Sequence, residues 1–355
     1  MFFDDAAHIG RETSLKEFFD IFRTLSNNTI SCKAAIYPGV TEFGQRFDLL
    51  NDANVIDISR NEESIAFTNF FSEIMKKRYA DIFIEELFTT ISFDEVANFL
   101  GRAVTGNVRA FIYACNHIAE QTEGSTITLP DLEKTAKYLA AEYYWPLLDE
   151  LKPKLGCYEP LIEPTIEIAE KLYKVVSELI DKPDYGASCL IYRENVEKLK
   201  KVFELLEYTG FLVKRDASRA MKAGGRGVRY RLNLCNLIEV IPGGRLTHEL
   251  FNRLISTETQ FTQLHKGSFL EKISLPAVSE FKDLGILEFD LDILKKSKAY
   301  PYGLTAKRIE VLHEAGINTV GELAETDDEF ILGLESISHG WLNRIKSVVG
   351  QAIWM

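Results

Sequence analysis

The chain has 355 residues, of which 46% are hydrophobic, and its formal net charge is −12. This length allows two to four small domains with their own cores. The acidic balance argues against extensive coating of nucleic acid, so that any DNA contact must come from a local basic patch, and no apolar run approaches the roughly 18 residues that cross a bilayer.

Cysteine usage and the first residues indicate the compartment. The five cysteines are scattered and none are spaced as C-x-x-C, so neither a disulfide framework nor a structural zinc site is indicated. The N-terminus is acidic and lacks the apolar segment of a signal peptide. We therefore expect a cytoplasmic protein with no membrane role.

Residues 1–58 are predicted to alternate short strands with a helix. A hydrophobic stub, "MFF", is followed directly by Asp4 and Asp5. Residues 14–25 form the predicted helix, with Ser14 as N-cap and Glu17 completing a capping box. The segments predicted as strands are "KAAIYPGV" at 33–40 and "NVIDI" at 54–58.

Residues 59–153 show the apolar spacing and the helix start signals of a helical bundle. A helix is predicted over 61–78, with an apolar face through Ile65, Phe70, Phe71, Ile74 and Met75. Ser92 and Glu95 form a capping-box pattern before the next helix, and Pro130 occupies the expected first turn of a later one. The bundle is expected to end near Pro153.

Residues 154–240 are predicted to form a winged helix with a preceding helix at 164–181. A helix over 196–206 is followed by two strands, at 211–214 and 228–234, with a glycine-rich turn between them. Between residues 214 and 231 there are seven basic residues against one acidic residue, Asp216. This local reversal of charge favours contact with a phosphate backbone, for which the candidate residues are Arg215, Arg219, Lys222, Arg226 and Arg229. A solvated hairpin, or one that docks on an acidic partner, is the alternative.

A connecting segment at 241–300 precedes a compact helical unit at 301–355. The tail, from "YGLTAKRIEVLHEAGINTVGELAE" to "WLNRIKSVV", resembles the helix-hairpin-helix-like C-terminal domain of bacterial RNA polymerase alpha subunits. Its predicted core comprises Leu304, Ile309, Leu312, Ile317, Val320, Leu323 and Leu334, with Gly316 in the left-handed position that ends a helix. The resemblance makes Lys307 a candidate DNA contact. Acidic residues outnumber basic ones in this unit, so a protein partner is the alternative.

The order of features in the first 150 residues or so resembles AAA+ ATPases of the origin-recognition and STAND-like groups. The features that match are "FFDDAAH", an amphipathic helix, "KAAIYPGVT" and a helical bundle that carries "GNVRAF". In that family, winged-helix domains commonly follow the helical lid.

The AAA+ resemblance implies roles for four residues. Asp4 and Asp5 match the Walker B pair, in which the first carboxylate holds Mg²⁺ through water and the second positions the attacking water. Thr41 is the nearest candidate for the sensor-one residue, and Arg109 matches the sensor-two arginine. Without the resemblance, an Asp-Asp pair after two Phe is typical of an exposed turn or a helix start, and an arginine such as Arg109 is typical of a solvated or salt-bridged helix surface.

The sequence departs from the family in one respect. It contains no G-x-x-x-x-G-K-[ST] motif, so the loop that cradles ATP phosphates is missing. Two kinds of explanation are open. The P-loop half is encoded upstream of Met1, because of a missed start or a split gene, or the chain is a degenerate regulatory copy. The family uses ATP and Mg²⁺, but we expect this chain alone to bind neither and to be an ATPase only if the missing half is supplied.

Together these features predict a mostly helical α+β protein. Its parts are a remnant of a parallel P-loop sheet (1–58), a helical lid (59–153), a winged helix (154–240), a connecting segment (241–300) and a helix-hairpin-helix-like domain (301–355). The predicted function is that of the C-terminal part of an AAA+ ATPase, acting as a DNA-associated, nucleotide-controlled switch. The alternative is a non-enzymatic protein-interaction scaffold with a vestigial ATPase remnant. Homo-oligomerisation is left open.

Overall fold

The structure is a computed structural model. It describes residues 1–3, 12–36, 41, 43–44, 46–56, 58–152, 155–182, 184–241, 243, 245–278, 285–297 and 301–354. The chain divides into two compact units. The first combines Met1–Val55, Leu147–Ile162 and Pro276–Met355, and the second combines Ile56–Pro146 and Glu163–Leu275.

The N-terminal segment forms a strand, a helix and a strand in that order. Its elements are β1 (Phe2–Phe3), α1 (Glu12–Leu25), β2 (Lys33–Ala34) and α2 (Leu49–Asp52). The two strands pair in parallel, and aromatic side chains centred on Phe19, Phe22 and Phe47 form the core beneath them. Parallel strands require such a crossover connection.

Three predictions for the N-terminal segment need correction. The helix begins at Glu12, so Ser14 lies inside it and is not its N-cap. The strand predicted at 33–40 ends at Ala34 among the described residues, and residues 37–40 lie outside them. No strand includes residues 54–56 or 58, whose apolar side chains are exposed and lack the pairing that would order a strand.

Five α-helices follow, and two of them begin at the predicted signals, whereas the first begins at Ile65 and not at residue 61. They are α3 (Ile65–Arg78), α4 (Phe93–Ala103), α5 (Val108–Thr122), α6 (Leu129–Leu139) and α7 (Trp145–Leu151). The capping box of Ser92 and Glu95 is confirmed, as is the place of Pro130 in the first turn of α6. Ile65 was wrongly placed on the apolar face: it opens α3 and is 93% exposed.

The next segment builds a mixed four-stranded sheet. Its elements are α8 (Ile162–Ser177), β3 (Tyr185–Tyr192), α9 (Arg193–Lys198), α10 (Lys200–Tyr208), β4 (Leu212–Ala220), β5 (Arg226–Leu232), α11 (Leu234–Val240), α12 (His248–Ile255) and β6 (Gln260–Leu264). The strand order is β4-β5-β3-β6. β3 pairs antiparallel with β5 and parallel with β6, and β4 pairs antiparallel with β5.

Strand β3, which lies between β5 and β6, was not predicted from the sequence. Its interior residues are buried, so the strand shows a continuous apolar run and not the alternation of a half-exposed strand. The helix predicted over 196–206 is interrupted at Leu199, which separates α9 from α10. The hairpin strands are longer than predicted at their turn ends.

The C-terminal segment is helical, with α13 (Gly285–Glu288), α14 (Ala306–Glu314), α15 (Val320–Glu325), α16 (Asp328–Leu332) and α17 (His339–Trp354). Six of the seven predicted core residues are buried, and Leu334 packs against them partly exposed. Gly316 has a φ of 82°, which confirms the predicted left-handed position after α14. Over the described residues the protein is a mostly helical α+β chain with small sheets, and none of their helices has both the length and the apolar character to cross a membrane.

Candidate nucleic-acid interface

The hairpin of β4 and β5 carries the basic residues predicted to contact DNA. Arg219 pairs with Gly227, and Ala220 with Arg226, at the end of the ladder. The chain then reverses through Gly224 and Gly225, whose φ angles are 90° and 80°. Side chains with a Cβ rarely adopt this conformation, so the glycine pair is needed to close the turn.

Three exposed cations surround this turn. Lys222 donates from Nζ to Oε1 of Gln260 at 2.6 Å, and Arg226 donates to the hydroxyl and the carbonyl oxygen of Ser218 at 2.5 and 2.8 Å. Both interactions leave the positive charge intact, because the acceptors are neutral. Arg219 differs, since its guanidinium lies 3.1 Å from the carboxylate of Asp216.

The remaining arginines of the hairpin point into the fold. The side chains of Arg215, Arg229 and Arg231 are only 5%, 7% and 3% exposed. Arg229 lies 2.7 Å from both Glu63 and Asp216. The excess of positive charge counted in the sequence is therefore largely neutralised inside this unit.

Glu62 is the buried acid around which two of these arginines gather. Arg215 donates to its carboxylate from Nε at 3.2 Å, and Nε of Arg231 lies 3.5 Å from the same oxygen. Arg102, on α4, donates to the backbone carbonyl of Glu62 at 2.9 Å. Burial raises the pKa of Glu62, but the neighbouring Arg231 and Arg215 outweigh burial and hold that pKa below its usual range. This carboxylate is therefore ionised in the folded protein at neutral pH.

A second acid, Glu258, whose side chain is 6% exposed, joins the network to the central strand. Its two carboxylate oxygens accept the backbone N–H groups of Ala187 and Ser188 at 3.2 and 3.0 Å, where the pairing of β3 with β6 is irregular. Arg231 contacts the same carboxylate. A Cβ at Gly186 would lie 2.5 Å from this side chain, so glycine leaves the space that Glu258 fills.

Sequence reasoning missed Glu62, Glu63 and Glu258 as partners of the hairpin. The first two are separated from their arginines by 153 and 166 residues, and no local spacing connects them. The only signal in the sequence that these arginines need acidic partners was their number on strands with buried neighbours. Because Arg215 and Arg229 are paired and buried, we do not include them among the DNA contacts proposed below.

The other predicted site residues lie apart from the hairpin in the chain. Lys307 is exposed in the first turn of α14, in the other unit. Asp4 and Asp5 lie outside the described residues. The Mg²⁺ role predicted for Asp4 therefore stays a prediction. Thr41 is partly buried in the first unit, and Arg109 is exposed in the first turn of α5 in the second.

Comparison of the chain with models of protein families, with curated proteins and with solved structures gives no match.

Proposed function

We propose that the chain is a DNA-associated module that contacts the phosphate backbone through the turn of its β4–β5 hairpin. The observation that carries the proposal is the pair Lys222 and Arg226, exposed beside a glycine turn and bonded to neutral acceptors. Cations in this setting can exchange those acceptors for phosphate oxygens without breaking an ion pair. The contacts would position the protein on DNA without reading its sequence.

The connectivity of the second unit supports reading this hairpin as a wing. From α8 to β5 the chain runs helix, strand, two helices and two strands, and the first strand, β3, lies beside the last, β5. In a winged helix the two hairpin strands follow the third helix, so that the turn between them projects as the wing. We therefore propose a winged-helix function for residues 154–240.

The packing of α10, the helix before the hairpin, supports contact with DNA through the hairpin turn and not through a helix in the major groove. Residues Val202–Leu206 of α10 are buried. Near the start of the helix, Lys200 and Lys201 pair with Glu204 at 3.5 and 2.8 Å. Helices that read the major groove present side chains to base edges, and most of α10 is occupied by packing instead.

A salt series of duplex DNA binding tests the proposal. Each phosphate contact contributes about 0.9 to the log-log slope of affinity against salt, so Lys222→Ala with Arg226→Ala should flatten the slope by about 2. The matched control is Lys76→Ala with Lys77→Ala, which removes the same charge from the last turn of α3. The loss should be similar for unrelated DNA sequences. An equal slope for the two double variants, in folded protein, would contradict the proposal.

The alternative function, a protein-interaction scaffold, is favoured by the internal pairing of Arg215, Arg229 and Arg231. This pairing leaves fewer free charges for DNA than the sequence count suggests. A scaffold would bind DNA weakly and with a shallow salt slope that neither double variant changes, so the same experiment separates the two functions.

The AAA+ resemblance adds a nucleotide-controlled switch to the proposal. It is supported by the parallel pairing of β1 with β2 across α1, the connection that builds P-loop sheets. We expect no ATP turnover by this chain, because its sequence has no phosphate-cradling motif. Turnover that is lost on Asp5→Asn would contradict this expectation.

A further inference from the structure

Three side chains able to ligate a metal converge in the C-terminal segment. Asp290 and Asp292 flank the start of the 3-10 turn Leu291–Leu294, and His313 lies in the last turn of α14. One ligand atom from each lies within 4.8 Å of the other two. The DNA proposal for the hairpin uses none of these residues.

The orientation of His313 is set by Asn318. The side-chain amide of Asn318 donates from Nδ2 to the carbonyl of Gly316 at 3.2 Å, so its Oδ1 is the atom that faces Nδ1 of His313, also at 3.2 Å. An amide oxygen only accepts, so this hydrogen bond forms in the tautomer that carries its proton on Nδ1. In this tautomer the lone pair of Nε2 faces Asp290. A hydrogen bond from the other ring nitrogen, here Nδ1 to Asn318, is typical of metal-binding histidines.

The spacing of the facing atoms fits a bound cation. Nε2 of His313 lies 3.4 Å from Oδ1 of Asp290. Two ligands at about 2.1 Å from a tetrahedral metal are separated by about 3.4 Å. We propose that Asp290, Asp292 and His313 bind one divalent first-row transition cation of the Zn²⁺ type.

The donor set decides which class of cation is expected. One imidazole nitrogen with two carboxylate oxygens suits Zn²⁺ or Co²⁺. Mg²⁺ and Ca²⁺ prefer shells made of oxygen alone. Three protein ligands leave a coordination position for water or another ligand. Asp290 and Asp292 also line a pocket of about 550 Å³, together with Asp149 and Glu150.

Backbone pairing already holds the ligands near one another. Leu291 donates to the carbonyl of Asn318 at 2.9 Å, and Val320 donates to that of Phe289 at 3.0 Å. These bonds fix the turn that bears both aspartates against the chain that follows α14. The site is thus preorganised by main-chain contacts, and a cation would join the turn to α14.

Zn²⁺ titration of the full chain by calorimetry, after removal of metals with EDTA, tests the proposal. We expect one site that is lost in His313→Asn and in Asp292→Asn. The control is His339→Asn, an exposed histidine at the start of α17, which should bind Zn²⁺ as the parent does. Asn318→Ala removes only the partner of the ring and should weaken binding about 10- to 100-fold. Mg²⁺ and Ca²⁺ should bind far more weakly than Zn²⁺.

The absorption spectrum of bound Co²⁺ gives a second measurement. A four- or five-coordinate spectrum that disappears in His313→Asn supports the site, with circular dichroism confirming that the variant is folded. Zn²⁺ binding that is unchanged in both His313→Asn and Asp292→Asn would overturn the proposal. So would the lack of any Zn²⁺ binding by the parent.

Discussion

Arg229 donates from Nη1 to Oε1 of Glu63 across 2.7 Å, joining β5 to a residue 166 positions earlier in the chain. Together with the pairing of Arg215 and Arg231 to Glu62, this contact attaches the hairpin to the segment before α3. Three of the arginines that suggested a DNA-binding surface in the sequence therefore stabilise the fold of this unit.

Glu62→Gln should strongly destabilise the protein. The change leaves Arg215 and Arg231 buried without the full charge of their partner, and breaking a buried pair costs about 3 to 5 kcal/mol. Chemical denaturation measures the loss in the free energy of unfolding. The control is Glu63→Gln, the same change at the next residue, whose side chain is 43% exposed; it should cost about 1 kcal/mol or less. Equal losses for the two variants would contradict a special role for Glu62.

Stability should fall in acid through the same carboxylate. Burial raises the pKa of Glu62, but Arg231 and Arg215 outweigh burial and hold this pKa below its usual value of 4.5 in the folded protein. The unfolded chain then binds the proton more readily, so this contribution is complete above the unfolded pKa and is lost as the pH falls through the folded one. The stability difference between the parent and Glu62→Gln should shrink as the pH falls below about 4.5. A constant difference would show that the charge of Glu62 is not responsible.

Local signals predicted the parts of the fold that local interactions determine. The capping box at Ser92 and Glu95 and the proline at the start of α6 need only residues within one turn. The apolar spacing in the C-terminal segment likewise predicted a core whose members lie close in sequence. In each case the residues that make the decisive contacts lie close together in the sequence.

The candidate interface was predictable only in part, because its charges are neutralised over long distances. The glycine turn and its exposed Lys222 and Arg226 follow from residues 212–232 alone. The burial of Arg215 depends on Glu62, 153 residues away, and β3 has the continuous apolar pattern that a buried helix segment can share. The burial of Arg215 and the strand conformation of β3 depend on contacts that form only when the sheet is assembled.

Gly101→Ala should destabilise the protein through the contact of α4 with α3. A Cβ at this position would lie 2.5 Å from Cδ2 of Phe71, whose ring is fully buried and has little room to move. Overpacking of this kind costs about 1 to 3 kcal/mol. The control is Gly350→Ala in α17, where a Cβ meets nothing within 4 Å, so the variant should gain about 0.5 to 1 kcal/mol from helix propensity. Thermal denaturation in which Gly101→Ala is as stable as the parent would contradict the packing argument.

Glu207 should make the protein less stable as the pH rises towards neutrality. Burial raises its pKa from 4.5 to about 7, with Glu204 adding to the rise and Lys214 opposing it. Between these two pKa values the folded protein holds a proton that the unfolded chain releases, so the contribution of Glu207 is complete below 4.5 and declines up to about pH 7.

Glu207→Gln removes this titration. Because one pKa unit corresponds to about 1.4 kcal/mol, the free energy of unfolding of the variant should rise by about 3 kcal/mol relative to that of the parent between acidic and mildly alkaline pH. Urea denaturation at an acidic pH and at a mildly alkaline pH measures this gain in the free energy of unfolding. Glu197→Gln is the control, since Glu197 is an exposed acid on α9 that pairs with Arg193 and its removal should change stability by less than about 1 kcal/mol at either pH. A gain from Glu207→Gln that does not grow with pH would show that the carboxylate is ionised without penalty where it lies beside β4.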